Sequence, residues 1–270
     1  MNISNPLFQR SCTLSNSTQL SSKTYIHEYL FPELVNISKP GQFVQIRVTS
    51  EYSPLLPRPF SILNVNKNNG TFAVLFKIFG EATEILSKKS EGETVEILGP
   101  LGNSFKTDNI KKLFLVAGGV GIPPIYCLLQ SINLSQHDIS LFLGAATKDD
   151  LFLKDEFDKM KFAKSYSTDD GSFGDKNLVT VPLEEALKEC SPGSSTSILS
   201  CGPMPMLAEV KRLAKKYDVD AQLSVETIMA CGFGICQGCV VPLNGNEDGG
   251  KKYTLVCIDG PIYSRDELKL

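Results

Sequence analysis

The distribution of apolar residues changes character near residue 100. Between about 18 and 98, apolar positions fall in short runs broken by turn residues. Gly41-Gln42-Phe43-Val44-Gln45-Ile46-Arg47-Val48 alternates apolar with polar, the period of a strand with one buried face. Asn68-Asn69-Gly70 separates strand-like runs at 60–65 and 71–79, which predicts a hairpin. One helical stretch, 81–89, intrudes and stops before Glu91-Gly92. Short strands at this spacing predict a small antiparallel barrel.

Past Gly99-Pro100-Leu101-Gly102-Asn103 the apolar runs become continuous and alternate with helical periods. Strands are expected at 112–117, 139–143, 163–167 and 196–200, and helices at 124–134, 153–160, 183–189 and 204–217. That succession predicts a parallel sheet covered on both faces. From Ser224 onward a short segment carries half of the eight cysteines. The expected architecture is a β barrel plus α/β: an antiparallel barrel over 1–105, a Rossmann-like unit over 106–222, and a cysteine-bearing segment over 223–270.

Length agrees with this division, since 270 residues at roughly 100–200 per domain leave room for two domains and a small module. With 27 basic against 30 acidic side chains, the chain has no electrostatic reason to bind nucleic acid or an anionic membrane. The most apolar stretch, 113–129, is interrupted by Gly118, Gly119, Gly121, Pro123 and Pro124 and is too short to span a bilayer. The first residues show no basic region followed by an apolar core, so no signal peptide is expected. A cytoplasmic setting follows, in which cysteines are reduced or metal-bound. Only two histidines are present, His27 in a strand-like run and His137 in a polar turn, and both read as surface or edge residues. Difficult chemistry then falls to a cofactor.

The cysteines name one. Cys231, Cys236 and Cys239 stand in C-x4-C-x2-C spacing with Cys257 following, the plant-type [2Fe–2S] ligand pattern. Gly232, Gly234 and Gly238 leave room for a loop to wrap sulfides with its N–H groups. Zinc is the rival metal, but its sites usually pair two C-x2-C knuckles and only Cys236 and Cys239 form one here. Cys12, Cys127, Cys190 and Cys201 are scattered and read as small packing residues.

Two further motifs suit nucleotides. In Arg58-Pro59-Phe60-Ser61 the Arg suits a pyrophosphate, the Pro stiffens the approach, and the Ser can bond a flavin edge. Gly80-Glu81-Ala82-Thr83 begins a helix, where phosphates bind, although Thr83 alone reads as an ordinary cap. Ala117-Gly118-Gly119-Val120-Gly121-Ile122-Pro123-Pro124 links a buried strand to a helix, the context of a nucleotide-binding turn or of a tight turn without ligand. It is not G-x-G-x-x-G. Cys201-Gly202-Pro203 occupies the carboxyl end of another expected parallel strand, the edge where open α/β sheets bind ligands.

The order R-P-F-S, G-G-x-G-x-P-P, C-G-P, then C-x4-C-x2-C…C resembles the ferredoxin reductase superfamily with an iron–sulfur segment fused at the end. Ser167-Thr168-Asp169-Asp170-Gly171-Ser172 and Cys257-Ile258-Asp259-Gly260-Pro261-Ile262-Tyr263 make the chain most similar to the electron transfer subunits of NAD-dependent (type B) dihydroorotate dehydrogenases. The resemblance implies that Arg58, Pro59, Phe60 and Ser61 contact FAD, completed by Leu75, Phe76, Lys77, Ala82 and Thr83. It implies that Gly119 and Gly121 admit NAD, and that Cys231, Cys236, Cys239 and Cys257 ligate a [2Fe–2S] cluster. Ala82 stands where the family often has Gly, and Lys77 where it usually has Arg, which removes a bidentate fork but keeps the charge.

The resemblance also implies a partner: an FMN-containing catalytic subunit, two copies of each chain assembling, with electrons passing from FMN through the cluster and FAD to NAD+ in pyrimidine biosynthesis. No side chain of this chain need act as acid or base. The same scaffold would serve as the diaphorase subunit of a ferredoxin:NADP oxidoreductase, sulfide dehydrogenase or hydrogenase complex. A different class is a non-catalytic iron–sulfur redox sensor. Lys148, Asp149 and Asp150 give mixed cues between NAD and NADP, and Thr168 to Ser172 reads equally as an adenosine contact or a polar turn.

Overall fold

The computed structural model describes residues 6–190, 195–244 and 251–270; residues 1–5, 191–194 and 245–250 lie outside the described residues. Alternation in the first third does produce strands: β1 (Phe8–Ser21), β2 (Thr24–Leu30), β3 (Phe43–Arg47), β4 (Arg58–Asn66), β5 (Thr71–Lys77) and β6 (Thr94–Leu101). They close into a barrel in the order β1-β2-β5-β4-β3-β6, with the expected hairpin as the β4–β5 pair. The first strand begins at Phe8, ahead of the strand-like pattern read from about residue 18. β1 is rich in Ser, Thr and Asn, and an irregularity between Leu14 and Asn16 breaks its alternation, which hides it from pattern reading. Two helices serve the barrel, α1 (Pro32–Ile37) and α2 (Glu81–Ser87). α1 is too short to show a helical period, yet it buries Leu34 and Val35.

The barrel interior holds Leu14, Tyr29, Val44, Ile46, Ile62, Phe72, Val74 and Ile97. His27 belongs inside as well, which corrects its reading as a surface or edge residue. It is fully buried, its Nδ1 lies 3.0 Å from the Tyr29 hydroxyl, and its ring meets Phe76 edge-on at 4.9 Å. Its strand alternates Tyr25, His27 and Tyr29 on one face, so an aromatic stripe carries the imidazole inward.

The second region contains β7 (Lys112–Gly118), β8 (Asp138–Ala145), β9 (Ala163–Thr168), β10 (Thr196–Cys201) and β11 (Asp220–Ser224), with α3 (Ile122–Ser131), α4 (Lys154–Asp158), α5 (Thr180–Lys188) and α6 (Met204–Lys216). These strands run parallel in the order β11-β10-β7-β8-β9. Both faces are covered. Leu113, Leu115 and Ala117 of β7 pack with Ile122, Ile125 and Leu128 of α3, and Phe114 and Val116 pack with Leu183, Leu187, Leu207 and Val210 of α5 and α6. α3 begins two residues ahead of the expected start because proline is tolerated in a first helical turn.

After β11 come β12 (Val240–Pro242), β13 (Tyr253–Leu255) and β14 (Ile262–Ser264). β12 and β13 form a small antiparallel pair, and β14 joins the large sheet antiparallel to β11. Val225 N–H donates to the Pro261 carbonyl at 2.9 Å, so the chain leaves and re-enters the sheet at one place. Met229, Cys239, Val256, Cys257 and Tyr263 share a core with Phe43 and Leu101 of the barrel and Leu223 of the sheet. Asn103 fastens the seam. Its Nδ2 donates to the carbonyls of Asp259 (2.9 Å) and Ile262 (2.7 Å), and its Oδ1 accepts from Ile262 N–H at 3.0 Å. Cys12, Cys127 and Cys201 are buried and Cys190 half-buried, as packing residues should be. No helix among the described residues is long and apolar enough to cross a membrane.

Burial holds the His27 imidazole neutral by lowering its pKa from 6.5 to about 4. As pH falls through that window, the unfolded chain binds a proton that the folded chain refuses. Stability, full above pH 6.5, should therefore decline by about 3 kcal/mol toward pH 4 from this group. Urea unfolding at pH 7 and pH 4.5 should show a smaller difference for His27→Phe than for the unsubstituted chain.

Candidate functional site

β4 opens with Arg58-Pro59-Phe60-Ser61 beside β5, which ends in Leu75-Phe76-Lys77. Their lower ends and the loop into α2 enclose a cavity of about 530 Å³. Every residue expected at the flavin lines it: 58–61, 75–77, Ala82 and Thr83. Arg58 Nη1 donates to the Leu56 carbonyl at 2.6 Å, which anchors the guanidinium at the rim. The Thr83 hydroxyl accepts from the N–H groups of Phe79 (2.9 Å) and Gly80 (3.2 Å) and donates to the Gly80 carbonyl, so its polar atom closes the helix start. Phe79, 99% exposed, projects at the mouth of the same cavity.

A second cavity, about 690 Å³, occupies the carboxyl ends of β7, β8 and β10. This is where the strand order departs from β7 in both directions, the crevice where open α/β sheets receive ligands. Gly119 and Gly121 both line it, for different reasons. Gly119 has φ +53° and faces open space. A Cβ on Gly121 would sit 2.4 Å from the Cys201 carbonyl oxygen, so this glycine lets the turn after β7 lie against the turn after β10. Of the 168–172 stretch, Asp169 alone lines the cavity; the Thr168 hydroxyl bonds Phe173 and Asp170 accepts from Ser172.

The two cavities share Lys77, Val120 and Glu226. Lys77 Nζ lies 2.7 Å from Asp150 Oδ1, an ion pair joining barrel to sheet across the cleft. Glu226 went unnoticed in the sequence because a single acid between a strand and a cysteine block belongs to no motif. Its carboxyl opens on the cleft but is crowded by the walls, which pushes its pKa above the usual carboxylate range. The cavity at the carboxyl edge of the sheet is rich in acid: Asp150, Asp169, Glu209 and Glu226 line it against Lys77.

The cysteine loop bends at Gly232 (φ +81°) and Gly234 (φ +89°), positions that favour glycine. Its thiols gather as two pairs. Cys239 Sγ lies 3.2 Å from Cys257 Sγ in the buried pair, and Cys231 stands with exposed Cys236 in the other. Backbone N–H groups point at sulfur: Cys236 N to Cys231 (3.5 Å), Gly238 N to Cys236 (3.4 Å) and Cys257 N to Cys239 (3.4 Å). Burial pushes the Cys231 thiol up, but the N–H groups of Cys236, Phe233 and Ile235 outweigh it and bring it down to about 7. Two dithiol pairs inside a cradle of N–H donors are a donor set that an iron–sulfur cluster would fit, with Cys231, Cys236, Cys239 and Cys257 to hold it. Among the described residues no three His, Cys, Asp or Glu side chains converge as a single metal ion would require.

Barrel, sheet and cysteine segment together define a flavin- and pyridine-nucleotide-dependent oxidoreductase carrying an iron–sulfur segment at its end. Family models match accordingly: an oxidoreductase FAD-binding domain over 11–105, an oxidoreductase NAD-binding domain over 115–212, and the iron-sulfur cluster binding domain of dihydroorotate dehydrogenase B over 226–269. The chain is 33% identical over 263 residues to the dihydroorotate dehydrogenase B (NAD(+)) electron transfer subunit of Fusobacterium nucleatum, covering 96% of this chain and 98% of that one. It is 37% identical to the corresponding subunit of Lysinibacillus sphaericus, over 89% of this chain and 91% of the relative. A solved NADH-dependent reduced ferredoxin-NADP oxidoreductase superposes with TM-score 0.84 at 27% identity, covering 96% of this chain and 90% of that chain. The chain belongs to the family of dihydroorotate dehydrogenase B (NAD(+)) electron transfer subunits.

The two glycines separate by experiment. Gly121→Ala should lower the thermal midpoint and weaken NAD(H) binding together, since its methyl collides with backbone. Gly119→Ala bears an αL strain of roughly 1–2 kcal/mol but points into space, so it should lower the melt by only a few degrees while binding NAD(H) less tightly. Melting curves and nucleotide titrations of the flavin-loaded protein check both.

Proposed function

We propose that this chain is the electron transfer subunit of an NAD+-dependent dihydroorotate dehydrogenase in pyrimidine biosynthesis, working in the cytoplasm with an FMN-bearing catalytic subunit in an assembly of two copies of each. In this reading the units 1–105, 106–222 and 223–270 serve FAD, NAD and the cluster in turn. The carrying observation is the order of the cavities. The one bearing Cys231 and Cys236 is walled by Leu55, Leu56 and Pro57, the flavin cavity starts at the next residue, Arg58, and the nucleotide cavity adjoins it through Lys77, Val120 and Glu226.

Arg58, Pro59, Phe60 and Ser61 would hold FAD with Leu75, Phe76, Lys77, Ala82 and Thr83; Gly119 and Gly121 would admit NAD; and Cys231, Cys236, Cys239 and Cys257 would ligate the [2Fe–2S] cluster. When bound, the cluster and the flavin supply the exchange between single-electron transfer and hydride transfer to NAD+. The residues bind and orient, and no side chain is required as a catalytic acid or base. The acidic wall of the nucleotide cavity favours NAD, because a 2′-phosphate would enter among Asp150, Asp169 and Glu209 with one lysine already paired. Exposed Cys236 and Ile235 place the cysteine loop at the surface, where a partner can reach it.

Anaerobic addition of NADH to the purified, cofactor-loaded protein should bleach flavin and cluster absorbance, and NADPH at equal concentration should do so far less. Copurification should bring down an FMN-containing subunit, and the complex should reduce NAD+ when given dihydroorotate. A chain that stays colourless after iron–sulfur reconstitution and FAD addition would sink the proposal.

A further inference from the structure

β3 and the residue after it send Val44, Ile46 and Val48 into the barrel, and the strand turns Phe43, Gln45 and Arg47 outward. Outward ordinarily means water, as it does for Arg47. For Gln45 it does not: the residue is 1% exposed, because the cysteine loop covers it. Gly232, the neighbour of Cys231, packs directly on its side chain, and a Cβ at that glycine would lie 2.7 Å from Gln45 Nε2. Across the strand pair Gln45 faces Pro59, which has no N–H to offer.

Neither polar atom of this carboxamide has a hydrogen-bond partner among the described residues. An amide buried unpaired is destabilising, and an apolar side chain of the same length would avoid that cost. Gln45 instead lines the cavity of about 400 Å³ that also contains Cys231 and Cys236. Sulfide and thiolate sulfur are acceptors, and the Nε2–H group is a donor. We infer that Gln45 donates a hydrogen bond to sulfur of the cluster on its Cys231–Cys236 side and thereby sets its reduction potential, as a positioning residue supplied by the barrel. A donor at sulfur stabilises the more negative, reduced form and raises the potential.

The inference rests on the four cysteines holding the cluster. Gln45→Leu and the longer Gln45→Met cannot donate, and both should be studied as the full, cofactor-loaded chain by redox titration followed by electron paramagnetic resonance. The expected result is a fall in cluster potential equal to about a tenfold change in the one-electron equilibrium, ~59 mV, with the flavin potential unmoved. In the cluster-free protein the same variants should unfold at equal or higher denaturant than the parent, because the unpaired amide is gone. A parent chain with no reduced-cluster signal removes the premise and the inference together. A normal parent signal with unmoved potentials in both variants overturns the role of Gln45 alone, as does a cluster-free variant that unfolds at lower denaturant than its parent.

Discussion

The packing of α3 against β4 governs the arrangement of the whole chain. The helix starts at the glycine turn that faces the nucleotide cavity, and the strand starts at the residues that face the flavin cavity. Its two sides belong to different cores: Cys127 is buried among barrel residues while Ile125, Leu128 and Leu129 are buried with the sheet. Where barrel and sheet come together at a helix, a small side chain allows close approach, and burial pushes the Cys127 thiol up to about 12, so it is inert packing. Pro123, in the first turn of this helix, itself lines the flavin cavity. One rigid element thus joins the two cavities, and the Lys77–Asp150 pair spans the remaining gap.

The cysteine segment depends on the other two regions in a different way. A chain this short buries too little apolar surface to fold by itself. Its apolar residues are instead buried against Phe43 and Leu101 of the barrel and Leu223 of the sheet, with Asn103 bonding its backbone at the seam. The glycines here are spaced for contact: Gly102, Gly232 and Gly260 would each collide with a neighbouring residue if they carried a Cβ. Rigidity of the sulfur donors is therefore a property of the whole molecule.

Much of this was legible in the residues. Barrel and parallel sheet followed from the change of period near residue 100, and the four cysteines from spacing that is local in the chain. What escaped has physical causes. β1 is polar and irregular, α1 is too short for a period, and β11 and β14 pair with partners far along the chain. His27 was misjudged because polarity was taken for exposure, and Gln45 sits in the polar half of an alternation whose outer face is covered by another part of the chain. Glu226 is placed by the cleft and by no neighbour in sequence. Patterning reports which face a residue occupies, and only the tertiary arrangement decides what that face meets.

The bond from Val225 to Pro261 and the pairing of β11 with β14 close the cysteine excursion at its base. Bringing distant thiols together in an open chain carries a loop-closure entropy that grows with the logarithm of loop length. Here the pairing of β11 with β14 meets part of that cost at the base of the excursion. The excursion behaves as a tethered ring closed at its base by backbone pairing. A chain truncated ahead of β14 would keep every sulfur donor and the Val256–Cys239 backbone bond but lose the closure at the base of the ring.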